Sequence, residues 1–120
     1  MRNVLQKSIL EKGRSYYSKH LDIINNFFPI KLTPKEIEVL GAFMNIQNPL
    51  AKEERFSTIF RKQVKKELKL SDGGLSNYIG SLLDKAAIKE NDEEKLYINP
   101  ILFPRDDFQF YQFKLKKDEK

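Results

Sequence analysis

The stretch that decides the fold covers residues 56–100 and reads FSTIFRKQVKKELKLSDGGLSNYIGSLLDKAAIKENDEEKLYINP. Apolar residues recur every three or four positions in two blocks, which predicts helices over residues 57–69 and 73–85. A short turn with Ser71, Asp72 and two glycines separates them. The side chains expected to face inward are Ile59, Phe60, Val64 and Leu68 in the first helix, and Leu75, Ile79, Leu82 and Leu83 in the second.

The pattern of apolar residues changes from a helical period to alternation after residue 85. Residues 88–90 and 95–98 predict two short strands, the polar residues 91–94 predict the turn between them, and Asn99-Pro100 ends the hairpin. Two helices joined by a tight turn and followed by a hairpin have the spacing of a helix-turn-helix with a β-wing. The sequence therefore predicts a mainly α fold with a small β-hairpin (α+β), a winged helix-turn-helix.

Two further helices are predicted before this stretch. Thr33-Pro34-Lys35-Glu36 combines a capping residue, a proline at the first helical position and the glutamate of a capping box, so a helix is expected over residues 34–46. Its apolar face would carry Ile37, Leu40, Phe43 and Met44. Residues 14–28 repeat apolar side chains at helical spacing, at Tyr17, Leu21, Ile24 and Phe28, until Pro29 ends the helix.

The chain ends predict two strands, residues 3–10 from weak alternation and residues 108–115 from their aromatic content. A length of 120 residues favours a single domain. We expect a core of residues 33–103, an N-terminal extension of residues 1–32, and a C-terminal strand and tail of residues 104–120.

Composition excludes several classes of protein. The sequence has no Cys, which excludes disulfides and thiolate metal sites and fits a reducing compartment. No apolar run is long enough to span a bilayer, and the N-terminus lacks the apolar segment of a signal peptide. We therefore predict a cytoplasmic protein.

The positive charge is concentrated in the first helix of the decisive stretch. The net charge of the chain is +5, and residues 52–70 hold seven basic and three acidic residues, whereas residues 71–100 hold three basic and six acidic ones. Two interpretations stay open, a surface that contacts nucleic-acid phosphates and a solvated helix face. The outward side chains that would contact phosphates are Arg61, Lys62, Lys65 and Lys66.

The second helix of the stretch has an unusual outward face, made of Asp72, Gly73, Ser76, Asn77, Gly80, Ser81, Asp84 and Lys85. Small residues allow close backbone approach, and Ser and Asn can hydrogen-bond base edges or phosphates. Each glycine inside a helix costs about 1 kcal/mol relative to Ala. Approach to a double-stranded DNA groove would offset that cost. The alternative is that Gly73 belongs to the cap and Gly80 lets a neighbouring helix pack closely.

Two segments resemble known DNA-binding proteins. The run LSDGGLSNYIGSLLDKAAI over residues 70–88 resembles the recognition helix of bacterial and phage winged-helix regulators, and Leu96-Tyr97-Ile98-Asn99-Pro100-Ile101-Leu102-Phe103 resembles the wing ending of plasmid and phage replication proteins of the RepL type. The resemblance covers roughly residues 33–103. It implies DNA binding in transcription or replication control, in the host cytoplasm if the protein is phage-encoded. It places Ser71, Ser76, Asn77 and Ser81 in the major groove, with Lys89 and Lys95 flanking the wing.

The tip of the predicted wing departs from this pattern, because Asn91-Asp92-Glu93-Glu94 is acidic and carboxylates repel a phosphate backbone. The rival hypothesis is consequently a winged-helix module for protein interaction or phage assembly without DNA binding.

Other chemistry finds little support in the sequence. His20 is the only histidine and is expected at the surface or boundary of the first helix rather than in a catalytic site. The remaining acidic clusters fall in polar turns, and no glycine-rich phosphate loop is present. We therefore predict no enzyme activity, no cofactor and no metal.

The aromatic residues 108–115 would close the core or a dimer interface, and a homodimer through residues 3–28 and 108–115 is one hypothesis. Stacking of these rings on single-stranded nucleic acid is a weaker third hypothesis.

Overall fold

The computed structural model of the protein describes residues 13–46 and 54–104. Within these residues it contains four α-helices and one two-stranded antiparallel sheet, which confirms the predicted mainly helical α+β class. The helices are α1 (Arg14–Ile24), α2 (Pro34–Met44), α3 (Thr58–Leu68) and α4 (Asp72–Asp84), and the strands are β1 (Ile88–Glu90) and β2 (Leu96–Ile98). The predicted strands at residues 3–10 and 108–115 lie outside the described residues, and the division into core and extensions stays a prediction.

The central helix is α2, and it begins at the predicted capping box. The Thr33 side chain accepts a hydrogen bond from the Glu36 amide (3.2 Å), and the Glu36 carboxylate accepts one from the Thr33 amide (2.7 Å). Almost all side chains of α2 are buried, including the whole predicted apolar face. A helix that is apolar nearly all round must be covered on several sides. α2 therefore packs against α1, α3 and α4 together.

Helix α1 ends four residues before the predicted end, and a 3-10 turn (Asn25–Phe27) follows it. Phe28 is extended because it precedes Pro29, whose ring disfavours the α conformation of the residue before it. The Asn25 side chain then holds the returning chain, accepting from the Leu32 amide (2.8 Å) and donating to its carbonyl (3.0 Å). These bonds connect α1 to the start of α2.

The crossing of α1 and α2 depends on a glycine. A Cβ atom at Gly41 would lie 2.6 Å from the Oγ of Ser18 and 3.1 Å from its backbone nitrogen. Even a methyl group there would require the Ser18 hydroxyl to rotate away and the α1 backbone to shift by a few tenths of an ångström. Gly41 therefore sets how closely the two helices approach.

Helix α3 is more exposed than predicted. Val64 is its one fully buried residue, and Phe60 and Leu68 are packed in part against the core. The prediction that Ile59 faces inward was wrong, because 75% of it is exposed. At 3.6 residues per turn, Ile59 lies about 140° around the helix from Val64, on the opposite side from the core.

The turn between α3 and α4 is short. Lys69 adopts the left-handed conformation (φ 55°), which allows the Leu70 amide to donate to the Lys65 carbonyl at 2.9 Å. Ser71 then caps α4, its hydroxyl accepting from the Gly74 amide at 3.0 Å. The short turn was predicted from the sequence, and local bonds satisfy the backbone at both of its ends.

The hairpin pairs Ile88 with Ile98 on its buried face and has a turn organised by Asn91. The Asn91 side chain accepts from the amides of Glu93 (2.9 Å) and Lys95 (3.0 Å), and Glu94 occupies a left-handed position (φ 61°). Asn99 fixes the other end of the hairpin, donating from its side chain to the Ala86 carbonyl (3.2 Å) and from its backbone to the Ala87 carbonyl (2.9 Å). The acidic turn is therefore a well-formed structural element.

His20 is buried, so the expectation of a surface or boundary histidine was wrong. Its Nε2 lies 2.9 Å from the carbonyl oxygen of Leu102, which belongs to a second 3-10 turn (Pro100–Leu102). A neutral imidazole has one donor nitrogen, which can bond a carbonyl, and one acceptor nitrogen. Burial lowers the pKa of His20, against the opposing effect of the bond to Leu102. Through this contact His20 connects α1 to the 3-10 turn that follows β2.

Candidate nucleic-acid interface

The basic face of α3 is formed by lysines that point into solvent. Lys62 and Lys66 are exposed and lie one turn apart, so they share one side of α3, and the exposed Lys69 follows directly at its C-cap. Among the described residues no ion pair is formed by these three side chains. Their charges are therefore available to an external anion.

Arg61 and Lys65, which the sequence assigned to the same surface, are held by intramolecular contacts. The Nε of Arg61 donates to the Phe56 carbonyl at 2.6 Å, and the ammonium of Lys65 forms an ion pair with Asp72. The hydrogen bond from Lys65 and its charge lower the pKa of Asp72. Arg61 and Lys65 contribute positive potential, but their side chains are less free to move than those of Lys62 and Lys66.

The exposed face of α4 is small and polar, as predicted. Ser76 and Asn77 are exposed, and a Cβ atom built at Gly73 or Gly80 meets no described atom within 4 Å. The alternative that a neighbouring helix packs on Gly80 is therefore wrong for the described part of the chain. Gly73 lies in the first turn, next to the cap at Ser71. This face, which we call the α4 outer face (Gly73, Ser76, Asn77 and Gly80), is accessible along more than one helical turn.

Ser81, which the resemblance placed in the groove, and Lys85, predicted on the same outward face, are instead in contact with α2. The Ser81 hydroxyl donates to Glu36 Oε2, and Lys85 Nζ donates to Glu36 Oε1 (2.6 Å) and to the Lys31 carbonyl (3.0 Å). Glu36 is only 2% exposed. We call these residues, with Thr33, the Glu36 cluster. A contact of Ser81 or Lys85 with DNA stays a prediction, and each would have to give up a partner.

The charge of Glu36 is stabilised despite its burial. Desolvation by burial would raise the pKa of its carboxyl group, but the hydrogen bonds from Lys85, Ser81 and Thr33 outweigh this and lower the pKa to about 2. A buried carboxylate is tolerated when its oxygens have donors and an opposite charge is adjacent. Glu36 is therefore ionised at neutral pH and holds Lys85 in place.

The hairpin carries both predicted lysines at its surface, beside the acidic tip. Lys89 and Lys95 are exposed, and Lys95 Nζ lies 3.8 Å from a carboxylate oxygen of Glu93. Asp92 and Glu94 are also exposed, next to that pair. The tip consequently keeps a negative potential that two nearby lysines only partly balance.

Arg55 is a residue that the sequence did not single out. Its Nη1 donates to three carbonyl oxygens at the end of α2, those of Phe43 (2.7 Å), Met44 (3.1 Å) and Ile46 (3.1 Å). Its guanidinium also stacks over Phe103, 5.2 Å from the ring centre. A cation here bonds carbonyls at and just after the last turn of α2 and interacts favourably with the negative end of the helix dipole. No periodic pattern signals such a bond, because Arg55 lies in the connection between α2 and α3.

An open cleft of about 570 Å³ lies where α1, the start of α2 and the end of α3 meet. Its rim alternates in charge, with ion pairs between Arg14 and Glu67 (3.5 Å) and between Lys35 and Glu38 (3.1 Å).

In residues 13–46 and 54–104 no group of acidic, histidine or cysteine side chains has the arrangement of a metal site. Across the same residues, every helix is too short or too polar to span a bilayer. Of the described surfaces, the α4 outer face and the lysines of α3 have the chemistry best suited to a polyanion.

The chain matches no protein-family model, no curated protein and no solved structure.

Proposed function

We propose that this protein is a winged-helix protein that binds double-stranded DNA in a sequence-directed way, in the control of transcription or replication. The observation that carries the proposal is the combination of an uncovered, small and polar α4 outer face with exposed lysines on the helix before it. In the helix-turn-helix arrangement the second helix lies in the major groove and the first crosses the backbone.

The α4 outer face suits a groove because its side chains are short. Asn77 can form two hydrogen bonds with the edge of an adenine, and Ser76 can bond to a base or a phosphate. Gly73 and Gly80 lower the stability of the helix without any described neighbour that benefits from their size. Close approach of a nucleic-acid backbone or base edge gives these glycines a use.

The lysines of α3 supply the part of binding that does not depend on sequence. Lys62, Lys66 and Lys69 would lie along a phosphate backbone and release condensed counterions, and each such contact makes binding weaker at higher salt. Lys65 holds Asp72 in an ion pair at the start of α4, which reduces the repulsion between that carboxylate and a phosphate. The lysines of α3 would therefore supply most of the affinity, and the α4 outer face would supply the sequence specificity.

The acidic tip of the hairpin disfavours contact between the hairpin and DNA, and it supports a second function. Asp92, Glu93 and Glu94 are exposed, so the tip would stay away from the backbone and leave contact to α3 and α4. A negative, rigid loop is also a suitable surface for a basic protein. The second proposal is accordingly a protein-interaction or phage-assembly module that does not bind DNA, with the hairpin as its contact.

A mobility-shift titration with random duplex DNA, at about 50 and 200 mM salt, separates the two proposals. DNA binding predicts an affinity that falls steeply with salt. The charge reversals Lys62→Glu and Lys66→Glu together should reduce the slope of log affinity against log salt by about 2, since each lysine accounts for about one phosphate contact. These two residues are better targets than Arg61 and Lys65, whose side chains already have partners in the protein.

The matched control reverses two lysines on the hairpin, Lys89→Glu and Lys95→Glu, with the same change of net charge. If the hairpin stays away from DNA, this control should lose less affinity than the α3 variant. An absence of binding by the unmodified protein at low salt would contradict DNA binding and leave the protein-interaction proposal.

The homodimer remains a prediction, because much of the surface assigned to it lies outside the described residues. Light scattering at increasing concentration tests it, and a monomer at micromolar concentration would contradict it.

A further inference from the structure

We propose that Glu36 is a positioning residue that fixes the orientation of α4 on α2 and thereby the register in which the α4 outer face meets a DNA groove. This inference rests on the proposed function and deepens it. Glu36 touches no DNA in this proposal and acts through Ser81 and Lys85.

The carboxylate of Glu36 joins three separate parts of the chain. One oxygen accepts from the Thr33 amide (2.7 Å) and from Lys85 Nζ (2.6 Å), and the other accepts from the Ser81 hydroxyl. Lys85 continues to the Lys31 carbonyl (3.0 Å), in the connection before α2. The start of α2, the last turn of α4 and the preceding connection are thus held by one side chain.

Apolar packing alone leaves the exact orientation of α4 undetermined. α4 buries Leu75, Ile79 and Leu82, and contacts between aliphatic side chains have little directional preference. Hydrogen bonds do have a direction, and buried polar groups can select one packing arrangement over similar ones. Two bonds to the carboxylate, one turn apart along α4, set both the rotation and the tilt of that helix.

A small tilt of α4 at the Glu36 cluster produces a larger displacement at the far end of the α4 outer face. Eight residues separate Ser81 from Gly73, about 12 Å along the helix, so a tilt of about 10° at the cluster moves the far end of the α4 outer face by about 2 Å. Hydrogen bonds to base edges tolerate much less than that displacement. Contacts of α3 lysines with phosphates tolerate more, because their side chains are long and flexible. Loss of the cluster should therefore reduce sequence discrimination more than overall affinity.

The choice of variants follows from this geometry. Glu36→Gln keeps the size of the side chain and allows the Ser81 hydroxyl to reverse its bond, but it removes the charge that holds Lys85. Glu38→Gln is the matched control, since Glu38 lies on the same helix, is exposed and forms a surface ion pair with Lys35. Lys85→Met approaches the cluster from α4 and serves if Glu36→Gln does not fold.

The experiment has two measurements on the full chain. The first is a distance distribution between spin labels at Asp22→Cys on α1 and Asn77→Cys on α4, both exposed positions, which is unambiguous because the sequence has no other cysteine. The second is selection of duplexes by the unmodified protein from a random pool, followed by affinities for the selected and a scrambled duplex.

We expect Glu36→Gln to broaden or shift the label distances and to lower the affinity ratio of selected to scrambled duplex about tenfold or more, the value of one lost base contact. Affinity for the scrambled duplex and its salt dependence should stay within about twofold, since phosphate contacts persist. Glu38→Gln should change neither measurement.

Unchanged label distances would overturn the inference, as would an unchanged affinity ratio with altered distances. If the unmodified protein binds no duplex, the proposed function fails, and the label distances alone then decide whether Glu36 fixes the orientation of α4. Equal losses in Glu36→Gln and Glu38→Gln would point to a general charge effect and contradict the inference.

Discussion

Protonation of Glu36 should weaken the fold at acid pH, and the size of the effect follows from its surroundings. The carboxyl pKa is about 2 in the folded protein against a reference value of 4.5. Each pKa unit corresponds to about 1.4 kcal/mol, so the ionised cluster contributes about 3 kcal/mol to the free energy of unfolding. Glu36 is 2% exposed, but its partner Lys85 is 21% exposed, so solvent screening makes this figure an upper bound.

The sign follows from the direction of the shift. A lowered folded-state pKa means that the unfolded chain binds the proton more readily, so the contribution is complete above about pH 4.5 and is lost as the pH falls towards 2. The difference in unfolding free energy between the unmodified protein and Glu36→Gln should therefore shrink by about 3 kcal/mol over that range.

Urea unfolding at a series of pH values between 7 and about 2 measures this difference, because other titrating groups affect both proteins alike and cancel. Glu38→Gln is again the control and should differ from the unmodified protein by little at any pH. A Glu36→Gln difference that stays constant with pH would refute the reasoning, since it would mean that the carboxylate gains no net stabilisation from the cluster.

Four further single substitutions should change stability or binding. Arg55→Ala should lower the unfolding free energy by about 2 to 3 kcal/mol in urea, because it removes the charged donor from the carbonyls of Phe43 and Met44 in α2 and of Ile46 just after it. Because burial lowers the pKa of His20, the unfolded chain binds the proton more readily, and the protein should become less stable as the pH falls below the reference value of 6.5. His20→Gln should therefore show a weaker pH dependence of thermal unfolding above about pH 5. Gly80→Ala should raise the melting temperature and weaken duplex binding, whereas Gly41→Ala should lower the melting temperature, since only at Gly41 does the added Cβ meet another helix.

The helices with clear local signals were predicted well. Thr33 and Glu36 form the capping box that the sequence indicated, and the apolar face of α2 is buried as expected. Ser71 and the glycines after it mark the start of α4 with a similar local signal. Such features depend on residues within one or two helical turns of each other, so a short stretch of sequence is sufficient to predict them.

The wrong predictions share a different cause. Ile59 lies at a position that fits the helical period but falls on the far side of α3, because the direction of the core is set by α2 and not by α3 itself. His20 is buried because a carbonyl 82 positions later along the chain is brought to its ring. In both cases the partner lies on another element, and no pattern within the helix indicates where that element packs.

In the proposed interface, too, some features follow from the sequence alone and others from the tertiary structure. The sequence by itself determined the four described helices, the hairpin, the excess of lysines on α3 and the small polar residues of α4, since composition and period are properties of adjacent residues. The tertiary structure decided which of these side chains are available. It brought Ser81 and Lys85 to the buried Glu36 and left Ser76, Asn77 and Gly80 uncovered, because hydrogen bonds and ion pairs over long sequence separations form only once the helices have packed.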